Sequence, residues 1–251
     1  MTARLARIFR YPVKAIGGEE LDEVSLTAGQ PLPGDRRFAV LHGDMPGQIV
    51  DGALHRWLPK TAFLRGAAAA SLQAVRGGWH EEMLVLTHPE RPTLRFDPAG
   101  DDGPLIDWLE PLWADSGKAP AARLAEGPQA LTDMREPYVS ILSLSSLAAV
   151  ESRLGRPLGL PRWRANLWID GWPPFHENEL KQMPLRIGKA EFKVRSLIGR
   201  CAATSANTDT GRLDGDMPRE LTAAFHSADF GIYAEVTAPG AIRPGDRVEL
   251  L

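Results

Sequence analysis

The hydrophobic positions of the chain fall mainly into short runs, and segments rich in Gly and Pro separate these runs. In the first half, the runs with the length of a single strand are 4–13, 36–42, 83–88 and 93–96. Loops are predicted at 28–35 and 42–48, where turn-forming residues cluster. The segment 53–75 is compatible with helix or strand, and its pattern favours neither.

The second half repeats this pattern after a change in composition. Residues 114–140 are small, polar and rich in Pro and Gly. Strand-like runs follow at 138–144, 165–171, 185–197, 230–236 and 246–251. The change in composition predicts a junction between a domain at 1–115 and a domain at 116–251.

Three short helices are predicted between the strands. The first covers 103–110 and is expected to end at Pro111. The second has Ser145 or Ser146 as its N-cap, and the third begins after Asp216. Because strands dominate and no regular alternation of strand and helix appears, the pattern predicts a β-rich α+β fold with barrel-like sheets.

Composition excludes several classes of protein. The chain has 251 residues, of which 43% are hydrophobic, and this is enough for a large core. A net charge of −3 with no basic run predicts no nucleic-acid partner. No run of roughly 18 apolar residues is present, so no membrane association is predicted. The first residues lack the apolar core of a secretory signal, and a cytoplasmic location is expected.

The single cysteine, Cys201, lies in "GRCAATSANTDTG" at 199–211 and cannot form an internal disulfide. A buried structural thiol, a nucleophile and a metal ligand are all open at this point. Arg200 would favour the thiolate, but no histidine shows a signature pairing with the cysteine. As a metal ligand, Cys201 would need a cofactor to supply most of the coordination.

A second candidate metal site, "HENE" at 176–179, lacks the second histidine of a zinc motif. Solvated acids in a loop are the preferred interpretation there.

Several cationic and amide side chains suit an anionic ligand. "RWRAN" places Arg164 and Asn166 two residues apart, which on a strand puts them on one face. Arg36 follows a predicted turn, and Lys14 ends a predicted strand. Together these four residues could bind a phosphorylated cofactor.

These motifs resemble the MOSC family, named for the C-terminal domain of the molybdenum cofactor sulfurase. The resemblance is to the branch of the mitochondrial amidoxime-reducing component and its bacterial relatives. "YPVKAIGG" and "GDRRFAV" resemble the N-terminal β-barrel region of that branch, whereas "RWRANLWIDG", "RCAATSANTDTG", "FGIYAEV" and "GAIRPGDRVELL" follow in family order in the MOSC domain. The resemblance covers nearly the whole chain.

The resemblance implies a molybdenum–molybdopterin cofactor whose metal is bound by Cys201. It also implies the cofactor-binding residues Lys14, Arg36, Ser146, Arg164, Asn166, Arg200 and Thr204. The sequence departs from the family pattern at Ala15, where a Ser or Thr is usual, and at Ala165, where a Pro is usual. Asn207 and Thr208 replace an acid and a proline, which leaves the substrate open.

The implied activity is reduction of small N-hydroxylated compounds, such as amidoximes or N-hydroxylated bases. The chain has no cysteine-rich tail and no dinucleotide fingerprint. Electrons are therefore expected from a separate ferredoxin-, flavodoxin- or cytochrome-type reductase. The alternative is a molybdenum cofactor carrier or a sulfur-relay protein with Cys201 as its persulfide site.

Overall fold

The computed structural model describes residues 2–43, 49–50 and 53–251, and most of the predicted loop 42–48 lies outside them. The strands are, in chain order, β1 (Arg4–Arg10), β2 (Glu19–Glu20), β3 (Val24–Leu26), β4 (Phe38–His42), β5 (Ile49–Val50), β6 (Ala53–Leu54), β7 (Arg76–His80), β8 (Met83–His88), β9 (Arg91–Phe96), β10 (Ala121–Glu126), β11 (Val139–Ser143), β12 (Leu167–Asp170), β13 (Pro184–Ile187), β14 (Ala190–Gly199), β15 (Asp229–Ala238), β16 (Gly240–Ile242) and β17 (Val248–Leu250). The α-helices are α1 (Gly103–Trp113), α2 (Leu144–Leu154) and α3 (Met217–Phe225). Strands with few short helices confirm the predicted fold class.

The largest sheet has the strand order β17-β13-β14-β15-β11-β12-β1-β2. Backbone hydrogen bonds also join β1 to the chain around β17. The amide of Leu5 donates to the carbonyl of Asp246 at 2.8 Å, and the amide of Val248 donates to that of Ala3 at 2.9 Å. These bonds close the sheet into a barrel, so that its edge groups are paired.

Alternating side chains of the barrel strands fill its interior. In β14, Phe192 and Val194 are fully buried, and they lie opposite Val236 and Ala234 of β15. This period of two is what a strand with one apolar face requires. The predicted single run 185–197 forms two antiparallel strands, because Gly188 adopts a left-handed φ of 55° between β13 and β14.

The first half of the chain adds smaller sheets, with the orders β4-β10-β6-β5 and β7-β8-β9. Helix α1 contacts β9 and β10, and its residues Trp108 and Trp113 are buried there. Each indole has a backbone partner, since Trp108 donates to Pro92 at 2.7 Å and Trp113 donates to Ala119 at 2.8 Å. The division into 1–115 and 116–251 stays a prediction, and β1 of the first half forms part of the barrel.

Two predicted helix boundaries were wrong by about a turn. Helix α1 continues past Pro111 to Trp113. Proline removes one helical hydrogen bond, but burial of Leu112 and Trp113 favours the continued helix. Helix α2 has Ser143 as its N-cap, so it begins earlier than a cap at Ser145 or Ser146 would allow. Helix α3 is capped by Asp216, as predicted.

Candidate functional site

A cavity of about 280 Å³ lies between residues of the two halves of the chain. Seven of the eight predicted site residues line it: Lys14, Arg36, Arg164, Asn166, Arg200, Cys201 and Thr204. Lys14 and Arg36 come from the segments between β1 and β4. Arg164 and Asn166 precede β12, and Cys201 follows β14. The fold thus brings together residues that are far apart in sequence.

Ser146 is the predicted site residue that the structure does not bring to this cavity. It is fully buried in α2, and its hydroxyl donates to Glu177 Oε2 at 2.9 Å. The same hydroxyl accepts from the amide of Phe175 at 2.8 Å. The inward side of α2 therefore packs on the 175–177 segment, and the Ser146 side chain is used in that contact.

Glu177 also differs from the prediction for "HENE". Its side chain is fully buried, whereas solvated acids were expected. Burial raises the pKa of its carboxyl, and the hydrogen bond from Ser146 partly opposes this shift. Among the residues with a described structure, no group of three or more His, Cys, Asp or Glu side chains could hold a metal ion.

Arg164 reaches the cavity from a turn and not from the strand that was predicted. It follows a 3₁₀ helix, Pro161–Trp163, and has a left-handed φ of 49°. Its guanidinium donates to the carbonyls of Gly17 at 2.8 Å and of Val13 and Ile16 at 3.3 Å. The side chain therefore fixes the turn that carries Lys14.

Asn166 is buried and uses its amide within the protein. Its Oδ1 accepts from the hydroxyl of Ser140 at 2.8 Å, and its Nδ2 donates to the carbonyl of Phe9 at 3.2 Å. Asn166 thereby ties β1 to β11 beside the cavity. Ser140 lines the cavity as well.

Arg36 and Arg164 lie against the ring of Tyr11, a residue that the sequence analysis did not identify. The guanidinium carbons are 4.5 Å and 4.3 Å from the ring centroid. Arg36 also pairs with the buried carboxylate of Asp35 and donates to the carbonyl of Arg164 at 2.8 Å. Burial raises the pKa of Tyr11 to about 12, so its ring stays neutral and attracts both cations.

Asp133 pairs with two lysines at the cavity. Its carboxylate accepts from Lys14 Nζ at 2.6 Å and from Lys60 Nζ at 3.4 Å. Lys14 also donates to the carbonyl of Leu131 at 2.9 Å. Burial lowers the pKa of Lys14, and Asp133 opposes this shift.

Cys201 is exposed, which excludes the buried structural thiol. It caps the 3₁₀ helix Ala202–Ser205, and its carbonyl accepts from the Thr204 hydroxyl at 2.8 Å. Arg200 points its guanidinium at the carbonyls of Phe230 and Trp163, with a distance of 3.0 Å to the latter. These bonds hold the backbone on both sides of the thiol.

The cavity is strongly cationic. Its described lining includes seven Lys and Arg side chains, and Asp133 is the one carboxylate among them. Burial lowers the pKa of Arg164 to about 9, with a further contribution from Arg36, and that of Arg200 to about 10. Such shifts mean that the positive charges lack sufficient counter-charge, which a bound anion would supply.

The donor set fits an anionic cofactor that carries its own metal ligands. The protein offers one exposed thiol, a soft ligand, and its described residues include no cluster of carboxylates or imidazoles that could hold a metal ion. The surrounding guanidinium and ammonium groups suit phosphate oxygens.

Two family models match the chain. The MOSC N-terminal beta barrel domain matches residues 2–106, and the MOSC domain matches residues 128–249. The chain belongs to the MOSC family. This family is associated with binding of the molybdenum cofactor.

Relatives of this MOSC protein include mitochondrial amidoxime-reducing components. Component 2 of Bos taurus is 30% identical over 122 residues, which is 44% of this chain and 36% of the relative. Component 1 of Homo sapiens is 32% identical over 123 residues, with the same shares of each chain. The match spans little more than a third of the length of these relatives.

Among solved structures, the YuaD protein of Bacillus subtilis aligns with 100% of this MOSC protein and 96% of its own chain, with a TM-score of 0.47 and 14% identity. YiiM of Geobacillus stearothermophilus aligns with 45% of this chain and 53% of its own, with a TM-score of 0.36 and 20% identity. No helix in the described part of this MOSC protein is long and apolar enough to cross a membrane.

The sequence analysis missed several lining residues. They are Lys60, Arg65, Gly66, Ala67, Gln73, Thr132, Asp133, Tyr138, Ser140, Arg162, Ile198, Gly199, Ala203 and Tyr233. Tyr233 could have been found, because it alternates with the buried Ile232 in β15 and so faces the other side of the sheet. Arg65 and Asp133 lie in segments without a clear hydrophobic periodicity, and their positions depend on tertiary contacts.

Proposed function

We propose that this protein is an oxidoreductase that binds the molybdenum cofactor through Cys201 and reduces small N-hydroxylated compounds. The observation that carries the proposal is the cationic cavity with a single exposed thiol at its edge. The relatives named as amidoxime-reducing components support the class of substrate.

Within this proposal the lining residues hold the cofactor. Arg36, Arg164 and Lys14 would hold its phosphate, and Cys201 would be the protein ligand of the metal. A bound molybdenum cofactor would supply two-electron redox chemistry and accept the oxygen that leaves the substrate. Asn166 acts by tying β1 to β11 and so fixing the cavity wall.

The overall reaction converts an amidoxime to an amidine and water, and it consumes two electrons and two protons. The N–O bond breaks, the nitrogen is reduced, and the oxygen leaves as water. No cysteine other than Cys201 exists in the chain, so it cannot hold an iron–sulfur cluster on its own thiolates. We propose that a separate electron-transfer protein supplies the electrons.

The test is turnover of benzamidoxime by purified protein from a host that makes the cofactor. Reduced methyl viologen should drive formation of benzamidine, because it can donate electrons singly without a docking site. NADH alone should not, since the chain lacks a dinucleotide fingerprint.

Robust turnover with NADH alone would contradict the electron-donor part of the proposal. No turnover with any reductant, together with a persulfide at Cys201 after incubation with a sulfur donor, would favour the sulfur-relay alternative. The exposed thiol is accessible for that chemistry as well.

A further inference from the structure

Arg65 is the cation of the cavity lining whose side chain has no partner among the residues that the structure describes. It follows the buried Leu64, lines the cavity and is half-buried. Its backbone carbonyl accepts from the amides of Ala68 and Ala69. Its guanidinium makes no hydrogen bond or ion pair with any residue that the structure describes.

The other six cations of the lining are all engaged. Four have carboxylate partners on the protein: Lys14 and Lys60 with Asp133, Arg36 with Asp35, and Arg162 with Asp214. Arg164 and Arg200 donate to backbone carbonyls. Of the described lining cations, Arg65 is therefore the one with an unpaired guanidinium. Its parallel N–H groups can donate to two oxygens of a carboxylate or phosphate at once.

The segment that carries Arg65 is held against the rest of the cavity. A Cβ atom on Gly66 would lie 2.1 Å from Nε2 of Gln73, so a larger residue at this position would displace the buried Gln73 side chain. Gln73 Nε2 in turn donates to the carbonyl of Ala15 at 3.2 Å. These contacts fix Arg65 beside the turn that carries Lys14.

The same segment also touches the loop that carries the thiol. The 3₁₀ helix Ala70–Ala74 contacts the 3₁₀ helix Ala202–Ser205, which follows Cys201. Lys60, Ala67 and Asp133 of the same lining are exposed, and the side chain of Arg65 is half-buried. This part of the cavity wall is therefore accessible to a small molecule from solvent.

We infer that Arg65 is a specificity-determining residue that binds an anionic group on the substrate, so that the preferred substrates are N-hydroxylated compounds with a carboxylate or phosphate. This inference rests on the proposed function. Lys14 and Lys60 share Asp133 as an ion-pair partner, whereas the Arg65 guanidinium has no such partner among the described residues and is free to pair with this group.

The test compares benzamidoxime with 4-carboxybenzamidoxime on the cofactor-loaded protein. Two readouts are used: steady-state kinetics with reduced viologen, and binding followed by quenching of tryptophan fluorescence, to which Trp163 of the cavity wall contributes. The wild type should favour the carboxylate about ten-fold in both kcat/KM and affinity, which is the size of one charge-assisted contact in a half-exposed site.

Arg65→Ala should reduce this preference to about one, through a higher KM for the carboxylate and not through kcat. Arg65→Lys should keep part of this preference, because lysine retains the positive charge but lacks the two parallel N–H donors of the guanidinium. Arg135→Ala is the matched control: Arg135 is exposed near Asp133 but does not line the cavity, so this variant should keep the full preference.

Equal kcat/KM and affinity for the two compounds in the wild type would overturn the inference while leaving the proposed function intact. Loss of molybdenum and pterin from Arg65→Ala would also overturn it, because Arg65 would then bind the cofactor phosphate. A binding preference without turnover of either compound would support the anion subsite and contradict the proposed function.

Discussion

At the scale of single residues, Arg164 is a cation of the cavity that has only backbone carbonyls as hydrogen-bond partners among the described residues. It is half-buried close to Arg36, and desolvation lowers its pKa to about 9. Between this pKa and its higher ordinary value, the unfolded chain binds more protons than the folded one. By the linkage relation, the free energy of unfolding of the anion-free protein therefore rises with pH above about 9. Below pH 9, Arg164 is charged in the folded protein, and the free-energy cost of desolvating that charge is fully present.

The same reasoning predicts a pH dependence for anion binding. Sulfate keeps its charge over the whole pH range, so any change in its association constant reflects a change in the protonation of the protein. For cofactor-free protein, the sulfate association constant should be flat from pH 7 to 8.5. It should then fall by up to about ten-fold per pH unit, because binding has to take up the proton that Arg164 has lost. Calorimetric titration at each pH measures it.

Arg164→Ala is the decisive variant for that measurement. It should bind sulfate about ten-fold more weakly at pH 7, since one charge-assisted contact is lost. Its affinity should fall less than that of the wild type between pH 8.5 and 10, because binding no longer has to restore the proton of Arg164. A wild-type affinity that is unchanged at pH 10 would show that Arg164 takes no part in binding the anion.

At the scale of elements, turns supply much of the cavity wall, next to residues from the strands β11, β14 and β15. Ala15, Arg36 and Arg164 have φ angles of 69°, 47° and 49°, in the left-handed region that non-glycine residues rarely adopt. All three line the cavity. Such strain persists where surrounding contacts hold it, and it clusters at functional sites.

Ala15→Gly tests the strain directly. A left-handed φ costs an L-residue about 1–2 kcal/mol, and glycine loses about 0.5–1 kcal/mol more backbone entropy on folding. The substitution should therefore raise the free energy of unfolding by up to about 1 kcal/mol, measured by urea denaturation. Ala148→Gly, at an exposed position in α2, is the matched control and should lower it by about 1 kcal/mol. An equal decrease in the free energy of unfolding in both variants would mean that the Ala15 turn is not strained.

The elements were predictable from the sequence to a large extent, and the cavity wall only in part. Alternation of apolar side chains locates strands such as β8 and β15, and the cap at Asp216 locates α3. Arg164 was assigned to a strand, because a left-handed turn after a 3₁₀ helix has no hydrophobic periodicity that would reveal it in the sequence. Tyr11 and Asp133 depend on tertiary contacts with residues far along the chain.

At the scale of the whole molecule, the cavity joins the two halves of the chain. Lys14, Arg36 and Arg65 come from the region matched by the N-terminal barrel model, whereas Arg164 and Cys201 come from the region matched by the MOSC model. The guanidinium of Arg164 donates to carbonyls of the 13–17 turn across this boundary. A ligand of the cavity would therefore contact both regions at once.

The central claim is that Cys201 holds the metal of a molybdenum cofactor bound in this cavity. The most direct measurement is the molybdenum and pterin content of the wild type and of Cys201→Ala, both purified from a host that makes the cofactor. Because Cys201 is exposed, the substitution should leave the thermal unfolding temperature unchanged. The account predicts about one molybdenum per wild-type chain and a large loss of it in the variant. A wild type without molybdenum, or a variant that retains the wild-type content, would contradict the account.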